Sequence, residues 1–580
     1  MLLLAFAPPL FTAVLCLGLN RVVATRALGF GAALALLASA ALLLVATMRG
    51  AVLFERPWMQ LNGPPIQLSL ALDAASLPAA LLVATGGAVC LLALALALPP
   101  KLRGFGGLIA SLLLLLTTTL LGLALREVLL LPLVWAALPL LGFVTHRASG
   151  GQADAQILPA GMLANLLGAI VLLGAGLSAQ SGAAEAVAPQ IGLVGLFVAG
   201  LIALGLPPFH RVVHDLVDAP AAVAAPILAF GLPLLAGFTL TRVVAQMPLT
   251  ESWRAALEVA GVGAVALCAA GALGETRLRR LVGWQTSAQF GLLLIALGQA
   301  PAVLAVLAPA LLVQAALVSC AAMLAVGVIE RRAGTDDMRE MRPGAALLVP
   351  GAALLLAAAS AAGVPGTWGF WSLRWLFDEL RTSTPLLIGP LLAASSLLAL
   401  AWMTPLATFL RSSRAPAALP RSNLISLLCP LLVALPLVLF GIAPQLAWNS
   451  WGMQARGALL PLAPANLPDP ALPSTPGMAA SAVAIGALIC TVWLRSRSVR
   501  RILADDEIEP SGVLTANLLG ESLRPLSWLG APSSLFGWLW QRMIAASRTL
   551  GWLLSFLEQR YFMAGLMLAV VVVILLLIRG

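Results

Sequence analysis

The side chains best suited to ion chemistry lie in a short polar segment that interrupts the apolar residues 200–242. The segment contains a double proline and four titratable groups: Pro207, Pro208, His210, His214, Asp215 and Asp218. Histidine changes charge near neutral pH, and two histidines four residues apart share one face of a helix. Because a proline break frees backbone groups that need partners at membrane depth, the segment predicts either a satisfied structural turn or a proton-handling site.

A second interrupted apolar run contains Gly363 and Pro365 and continues as a segment that carries Arg374, Asp378 and Glu379. Arginine stays protonated in proteins, so Arg374 cannot relay a proton. It can instead fix a neighbouring carboxylate or bias the local electric field. The three charged side chains are therefore the second set of proton-pathway candidates.

No metal or cofactor site is expected in this chain. His210 and His214 have no further His or Cys close to them in the sequence, and the six cysteines lie in or beside apolar runs without a C-x-x-C motif. Such cysteines are expected to be small buried hydrophobic residues. The sequence contains no haem pair, iron–sulfur cysteine run, nucleotide-binding loop or quinone motif. The chain alone is therefore not expected to be an enzyme.

The composition of the 580 residues, 61% hydrophobic and 10% charged, lies far outside the range of soluble globular proteins. At roughly 20 apolar residues per span, it predicts an all-α polytopic membrane protein with about 16 transmembrane helices. The net charge of +10 is distributed over short loops without a basic-aromatic patch, so nucleic acid is not an expected partner. Most Lys and Arg residues fall in alternate loops, which predicts an extracytoplasmic N-terminus and a bacterial-type inner (cytoplasmic) membrane.

Five parts are predicted along the chain: residues 1–104 with N-terminal spans and an extracytoplasmic β-hairpin, 105–243 and 253–410 with five helices each, 425–494 with peripheral spans, and 495–580 with a cytoplasmic-side amphipathic arm and a last span. Each five-helix block contains one broken helix. Because five is odd, the two blocks would be repeats that are inverted across the membrane. In the arm, Trp and Phe alternate with Arg over residues 534–557, which predicts a surface helix that lies on the membrane or on a neighbouring protein of the same complex.

Several motifs occur in a fixed order within residues 70–412: Pro208-Phe209-His210, Asp215, Ala219-Pro220, Arg242, the basic turn RLRRLVGWQTSAQFG, Gly363-Val364-Pro365 and Gly369-Phe370. In this order they resemble the antiporter-like membrane subunits of respiratory complex I and their relatives in Mrp antiporters and membrane-bound hydrogenases. The C-terminal arm is most similar to that of the largest, distal member.

The resemblance also implies a membrane-embedded Glu, several Lys and a His that pass protons along the middle of the membrane. Uncharged residues stand where these are expected: Ala136, Ala203, Leu234 within residues 233–235, and Val318 within residues 314–319. The central proton wire is therefore predicted to be degenerate.

The resemblance implies a membrane subunit of a redox-driven proton-translocating complex, either NADH:quinone oxidoreductase-like or hydrogenase-like. Its partners would be other membrane subunits and the lipid bilayer. The alternative is a subunit of a cation/proton antiporter or an inorganic-carbon uptake complex of the same superfamily. In either complex, the degenerate wire favours a structural role or an altered coupling.

Overall fold

The structure is a computed structural model that describes residues 2–48, 53–59, 66–73, 75–99, 102–127, 130–150, 188–207, 209–246, 249–338, 340–341, 348–410 and 424–447. All of them lie in the first of two compact units, residues 1–530, and the second unit comprises residues 531–580. The amphipathic arm and the last span predicted within residues 495–580 lie outside the described residues, as does Pro208.

The N-terminal part consists of helices with a hairpin between the second and the third. The elements are α1 (Leu2–Gly18), α2 (Thr25–Met48), β1 (Leu53–Met59), β2 (Ile66–Ala71) and α3 (Ser76–Ala97). The two strands pair antiparallel, with Leu53 opposite Ala71. The β-hairpin predicted from the alternating sequence is therefore confirmed.

The first block begins with α4 (Gly106–Ala124) and α5 (Leu131–Ala148) and continues after the undescribed residues 151–187. Its later elements are α6 (Ala188–Ala203), α7 (Arg211–Val217), α8 (Ala221–Phe230) and α9 (Leu232–Gln246). Helices α6 and α7 are the two halves of the predicted first broken helix.

The apolar pattern after this break predicts one continuous span over residues 219–243, but the segment is divided at Gly231 into α8 and α9. A Cβ atom at Gly231 would lie 2.4 Å from the Ile227 carbonyl oxygen, so only glycine fits this bend. Pro233 follows at once and has no N–H to continue the helical hydrogen bonds. The predicted span is therefore present as one apolar segment, Ala221–Ala245, which bends at Gly231.

The second block contains α10 (Glu251–Leu273), α11 (Leu278–Leu297), α12 (Pro301–Ala333), α13 (Leu348–Ala361), α14 (Trp368–Ser383) and α15 (Ile388–Leu410), and α16 (Leu424–Ile442) and α17 (Pro444–Ala447) follow it. Helices α13 and α14 are the halves of the second broken helix. The apolar windows of the α8–α9 segment and of α12 are 100% and 94% buried, so both lie in the interior of the described fold.

Eight helical segments of the described residues are long and apolar enough to cross a membrane, and three shorter apolar helices accompany them. The chain is therefore a multi-pass α-helical membrane protein, as the sequence predicts. The total of about 16 spans stays a prediction, because residues 151–187 and 448–580 lie outside the described part.

A partly buried ion pair joins the hairpin to the first block. The Arg242 guanidinium of α9 lies 2.9 Å from the Asp73 carboxylate after β2, and it also donates to the Leu125 carbonyl oxygen at 2.8 Å. The backbone N–H of Arg126 donates to the Ser69 carbonyl oxygen at 3.0 Å. Arg242 therefore holds three chain segments together at one end of the bundle.

Asp73 also caps α3, since its carboxylate accepts from the backbone N–H of Ser76 at 2.8 Å. Burial raises the pKa of the Asp73 carboxyl, but the Arg242 guanidinium and the Ser76 hydrogen bonds lower it by more, so the pKa lies below its ordinary value. A carboxyl whose pKa is lowered by folding stabilises the protein above its unfolded-state pKa of about 3.9. That contribution is lost as the pH falls toward the folded value.

We expect Asp73→Asn to lower the free energy of unfolding at neutral pH by about 1.5–3 kcal/mol, the value of a hydrogen bond to a charged group. The stability difference should begin to shrink as the pH falls below about 4, where the unfolded chain takes up the proton, and it should vanish only below the pKa of the folded carboxyl. Thermal unfolding in detergent between about pH 3 and 7 measures both effects. Glu55→Gln, on an exposed position of β1, is the matched control. A stability difference that does not depend on pH would contradict this assignment.

Candidate ion-translocation site at the two helix breaks

A side chain from α11 forms a hydrogen bond with the backbone of the first break. Helix α6 ends at Ala203, and Gly205 adopts φ +62°, with Val213 so close that a Cβ would lie 2.1 Å from it. The Ser287 hydroxyl donates to the Gly205 carbonyl oxygen at 2.8 Å. A backbone acceptor that the break releases is thereby satisfied inside the protein, as membrane depth requires.

The two predicted histidines lie together against one tryptophan. His210 is buried at the start of α7, and its ring stacks on Trp284 of α11 with centroids 4.7 Å apart. The His214 ring meets Trp284 edge-on at 4.4 Å, and the two imidazoles are 5.7 Å apart. Both titratable rings therefore occupy a single aromatic pocket on α11.

The third histidine of the chain, which sequence spacing does not connect to the break, also reaches this site. His146, in the last turn of α5, is fully buried, and its Nε2 lies 3.2 Å from the backbone oxygen of Asp215. The rarity of histidine could have drawn attention to His146, because only three histidines occur in 580 residues. The break between α6 and α7 thus collects every imidazole of the chain.

Arg279 fixes the far end of α7. Its guanidinium donates to the carbonyl oxygens of Val217 and Asp218 at 3.4 and 3.2 Å, and also to that of Ala219. The same guanidinium forms an ion pair with Glu330 near the end of α12. A cation at a helix C-terminus is favourable, because the helix dipole and the unpaired carbonyl groups both attract it.

The two predicted aspartates have different surroundings. Asp215 is half-buried within α7, whereas the Asp218 side chain is more exposed and lies 3.5 Å from Arg280 and 3.9 Å from Arg277. The negative charge of Asp218 therefore faces the basic turn that precedes α11. Of the two carboxylates, Asp215 is the one that lies on the histidine helix.

The positions where the family resemblance implies charges are apolar in their surroundings. Ala203, Leu234 and Val318 are buried, and Ala136 is partly buried. Ala203 lines a cavity of about 60 Å³ together with Leu138, Ile202 and Pro233. The side chains that line this cavity are apolar, and cavities with apolar walls favour a dry interior.

The polar residues between the two breaks are uncharged and lie along α11 and α12. Thr286 donates to the Ser319 hydroxyl of α12 at 2.9 Å, and Gln314 of α12 donates to the Gln289 side-chain oxygen at 2.9 Å. Gln285 accepts from the Trp402 indole N–H at 2.7 Å. All five polar partners, Gln285, Thr286, Gln289, Gln314 and Ser319, are at most 1% exposed. We call this set the neutral axis.

Side chains of the same neutral axis donate hydrogen bonds to the backbone carbonyl groups of the second break. Gly363 and Gly366 have φ values of +72° and +84°, and α14 starts at Trp368. Gln289 donates to the Ala361 carbonyl oxygen at 3.5 Å, and Gln314 donates to that of Ser360 at 3.4 Å. On the other side of the break, the Ser372 hydroxyl donates to the Gln314 side-chain oxygen.

The charged candidates of the second break lie further along α14. Arg374 is 2% exposed, with its Nε 3.8 Å from the Asp378 carboxylate and its guanidinium carbon 5.3 Å from the Trp371 ring centroid. Glu379 is half-buried beside them. Arg374 therefore pairs with a neighbouring carboxylate, one of the two roles left open to an arginine here.

In the part of the chain that the structure describes, no three His, Cys, Asp or Glu side chains are grouped as a metal site. The described cysteines are buried, and the Cys90 and Cys320 sulfur atoms lie 3.3 Å apart. The ionisable side chains that the structure places beside the two breaks are His, Asp, Glu and Arg, and the neutral axis between them consists of amides and hydroxyls.

We expect Arg279→Leu to destabilise the protein by about 1.5–3 kcal/mol, since it removes charged hydrogen bonds to three carbonyl groups and leaves Glu330 without its partner. Thermal unfolding in detergent measures the loss. Arg277→Leu is the control, because its side chain is about half exposed and lies 3.9 Å from both of its acidic neighbours. Equal unfolding temperatures for the two variants would contradict the capping role.

Comparison with known proteins shows what part of the chain is similar to. Residues 162–399, which include both breaks, match the family described as NADH:quinone oxidoreductase/Mrp antiporter, TM. Over 288 residues, the chain is 32% identical to NAD(P)H-quinone oxidoreductase subunit 2 of Synechococcus sp. (strain JA-3-3Ab), covering 46% of this chain and 54% of that protein. Over 174 residues, it is 30% identical to a component of a probable K(+)/H(+) antiporter of Rhizobium meliloti (strain 1021), covering 30% of this chain and 17% of the relative. The matches thus span about half or less of these curated relatives.

Solved structures share the fold. A chain of the Mrp complex from Dietzia sp. DQ12-45-1b superposes with a TM-score of 0.73 at 21% identity, over 95% of this chain and 63% of that one. A chain of respiratory complex I from Thermus thermophilus gives a TM-score of 0.59 at 21% identity, over 77% of this chain and 98% of that one. The sequence prediction is therefore confirmed: the chain resembles the antiporter-like membrane subunits of respiratory complex I and Mrp antiporters, and residues 162–399 match their shared transmembrane domain.

Proposed function

We propose that this chain is a membrane subunit of a redox-driven proton-translocating complex, NADH:quinone oxidoreductase-like or hydrogenase-like, in a bacterial-type cytoplasmic membrane. Its N-terminus would be extracytoplasmic, and its partners would be other membrane subunits and the surrounding lipid. The family match and the quinone oxidoreductase relative support the complex. Electron transfer would take place in those partners, since the proposal assigns no cofactor to this chain.

The observation that carries the proposal is the contrast between the first break and the neutral axis. The break holds three imidazoles and Asp215 beside a basic turn, a set that can take up and release protons near neutral pH. The neutral axis, which runs from the first break to the second, consists of side-chain amides and hydroxyls. An amide does not ionise at neutral pH, so a proton that arrives at Gln289 or Gln314 has no site on which to stay.

This contrast supports a protein that binds protons at the first break. The neutral axis would then be a rigid, uncharged connection between the two breaks. Hydrogen bonds link the side chains of the neutral axis to one another, to Trp402 and to the second break, although the Gln285 side-chain nitrogen has no partner among the described residues. Such bonds between buried polar groups favour one arrangement over the alternatives. In the proposed complex, the chain would therefore contribute structure or an altered coupling, and the degenerate wire would not carry protons from one break to the other.

A role within a cation/proton antiporter or an inorganic-carbon uptake complex is the second candidate. The likeness to the Dietzia Mrp complex favours it, because that superposition extends over 95% of this chain. Purification of the chain with its native partners separates the two candidates. Co-purifying flavin, iron–sulfur or nickel proteins support the redox complex, and their absence from an intact assembly supports the alternative.

We expect His210→Ala, His214→Ala and Asp215→Asn to reduce proton translocation by the intact complex, because each removes a proton acceptor from the first break. The measurement is proton uptake linked to turnover in proteoliposomes, after assembly has been checked. Glu340→Gln, an exposed position of the loop after α12, is the control. Loss of assembly supports a structural turn instead, and full translocation by all three variants rejects the loading role.

We expect that restoring one family charge, by Ala136→Glu or Ala203→Lys, will not create proton transport. A single charge at the bilayer centre costs about 2.5–3.5 kcal/mol on insertion scales. Ala203 lines an apolar cavity, so the new ammonium would have no polar partner there. Reduced yield relative to the apolar control Ala203→Leu is the expected result. A raised proton flux in proteoliposomes would show that the remaining wire is intact.

A further inference from the structure

One buried carboxylate belongs to neither break. Glu258 lies in the second turn of α10 and is 2% exposed. The family resemblance assigns no residue at this position. An ionisable side chain buried in a membrane domain is expensive to keep, and it is therefore a functional candidate by default.

The partners of Glu258 are neutral and come from two other chain segments. Gln299, just after α11, donates from its side-chain nitrogen to one carboxylate oxygen at 2.7 Å. The Thr384 hydroxyl, just after α14, donates to the other oxygen at 2.5 Å. The Ser383 hydroxyl donates to the Gln299 side-chain oxygen at 3.4 Å, so the polar cluster continues into the last turn of α14. Among the described residues, no Arg or Lys forms an ion pair with Glu258.

This cluster lies at the opposite end of α11 from the basic turn. Helix α11 begins at Leu278, beside Arg277, and Gln299 follows its last residue, Leu297. Its 20 residues correspond to about 30 Å at 1.5 Å per residue, the thickness of the hydrocarbon core. The basic turn and Glu258 therefore lie near opposite faces of the membrane domain.

The helices pack closely around the carboxylate. A Cβ atom at Gly298 would lie 2.7 Å from the Arg254 carbonyl oxygen and 2.7 Å from the Glu258 side chain, so only glycine fits between α10 and α11 here. The charged residues on the surrounding elements are Glu251 and Arg254 on α10 and Arg374, Asp378, Glu379 and Arg381 on α14. Helix α11 beyond Arg280 and helix α15 before its end at Leu410 carry none.

We propose that Glu258 is a proton-binding site at the end of the membrane domain opposite the basic turn, serving the α14 half of the second broken helix. The inference rests on the proposed function, since it needs a complex that moves protons. It deepens that function by assigning an outer proton acceptor in a chain whose central axis is neutral.

The chemistry is the gain and loss of one proton. The carboxylate binds H⁺ to give a carboxylic acid, and no other bond forms or breaks. In the ionised state, the Gln299 amide and the Thr384 hydroxyl stabilise the charge by hydrogen bonds. In the neutral state, the new O–H needs an acceptor, and the Thr384 hydroxyl can supply one by turning, because a hydroxyl both donates and accepts. The same two partners therefore serve both protonation states.

Glu258→Gln tests the proposal, because the amide has nearly the same shape and cannot bind a proton at neutral pH. Two measurements are made on the purified complex. The first is the infrared difference spectrum between acidic and neutral pH, in which a protonated carboxyl gives a C=O band. The second is turnover-linked proton uptake in proteoliposomes. Glu251→Gln, an exposed position at the start of the same helix, is the matched control.

The expected result is the loss of one carboxyl band and the loss of proton uptake in Glu258→Gln, with both retained in Glu251→Gln. A difference spectrum identical to that of the wild type, or full proton uptake by Glu258→Gln, overturns the proposal. A carboxyl band that responds to sodium at fixed pH also overturns it, because the site then binds a metal cation.

If Glu258→Gln does not assemble, Thr384→Val gives the answer, since it removes one hydrogen-bond donor and keeps the carboxyl group. Its C=O band must then shift to a higher frequency, and an unchanged band overturns the proposal. A wild-type complex that moves no protons during turnover refutes the proposed function alone, because the infrared test still decides whether Glu258 binds a proton.

Discussion

Backbone groups have no water to bind in the hydrocarbon core, and this constraint governs how the two broken helices are built. Each break releases carbonyl groups, and α11 supplies side chains for both. Ser287 donates to the Gly205 oxygen of the first break, and Gln289 donates to the Ala361 oxygen of the second. Arg279, at the start of the same helix, holds the carbonyl groups at the end of α7. One helix therefore makes both interruptions tolerable.

The close packing at the breaks follows from the same constraint. A Cβ atom at Gly369 would lie 1.6 Å from the Ser360 carbonyl oxygen, so the two halves of the second broken helix approach each other through a glycine. In the first break, Gly205 leaves similar room for Val213. Such contacts have no space for a larger residue, and protein interiors transmit strain because they are close-packed. The two halves of each broken helix therefore have a well-defined relative position, and the hydrogen bonds of the neutral axis help to hold it.

The sequence was sufficient for the elements that local chemistry determines. Periodicity, proline and glycine predict the apolar runs, the hairpin and both broken helices. The four-residue spacing of the two histidines predicts that they share one face of their helix. The bend at Gly231 was missed because a glycine inside an apolar run is often tolerated within a span. Nor did the sequence reveal His146 beside Asp215 or Glu258 beside Thr384, since these pairs are 69 and 126 residues apart and depend on the packing of helices. Spacing along one helix cannot predict such contacts.

The neutral axis also bears on how the protein responds to the membrane potential. A potential does work only on charge that it moves, about 2.3 kcal/mol per elementary charge and 100 mV across the full membrane. The described side chains that connect the breaks through α11 and α12 carry no formal charge: Gln285, Thr286, Ser287, Gln289, Gln314 and Ser319. A rearrangement of these residues during turnover would therefore be nearly independent of voltage. The electrical work would fall on the titratable groups outside the neutral axis, among them the histidines and Glu258.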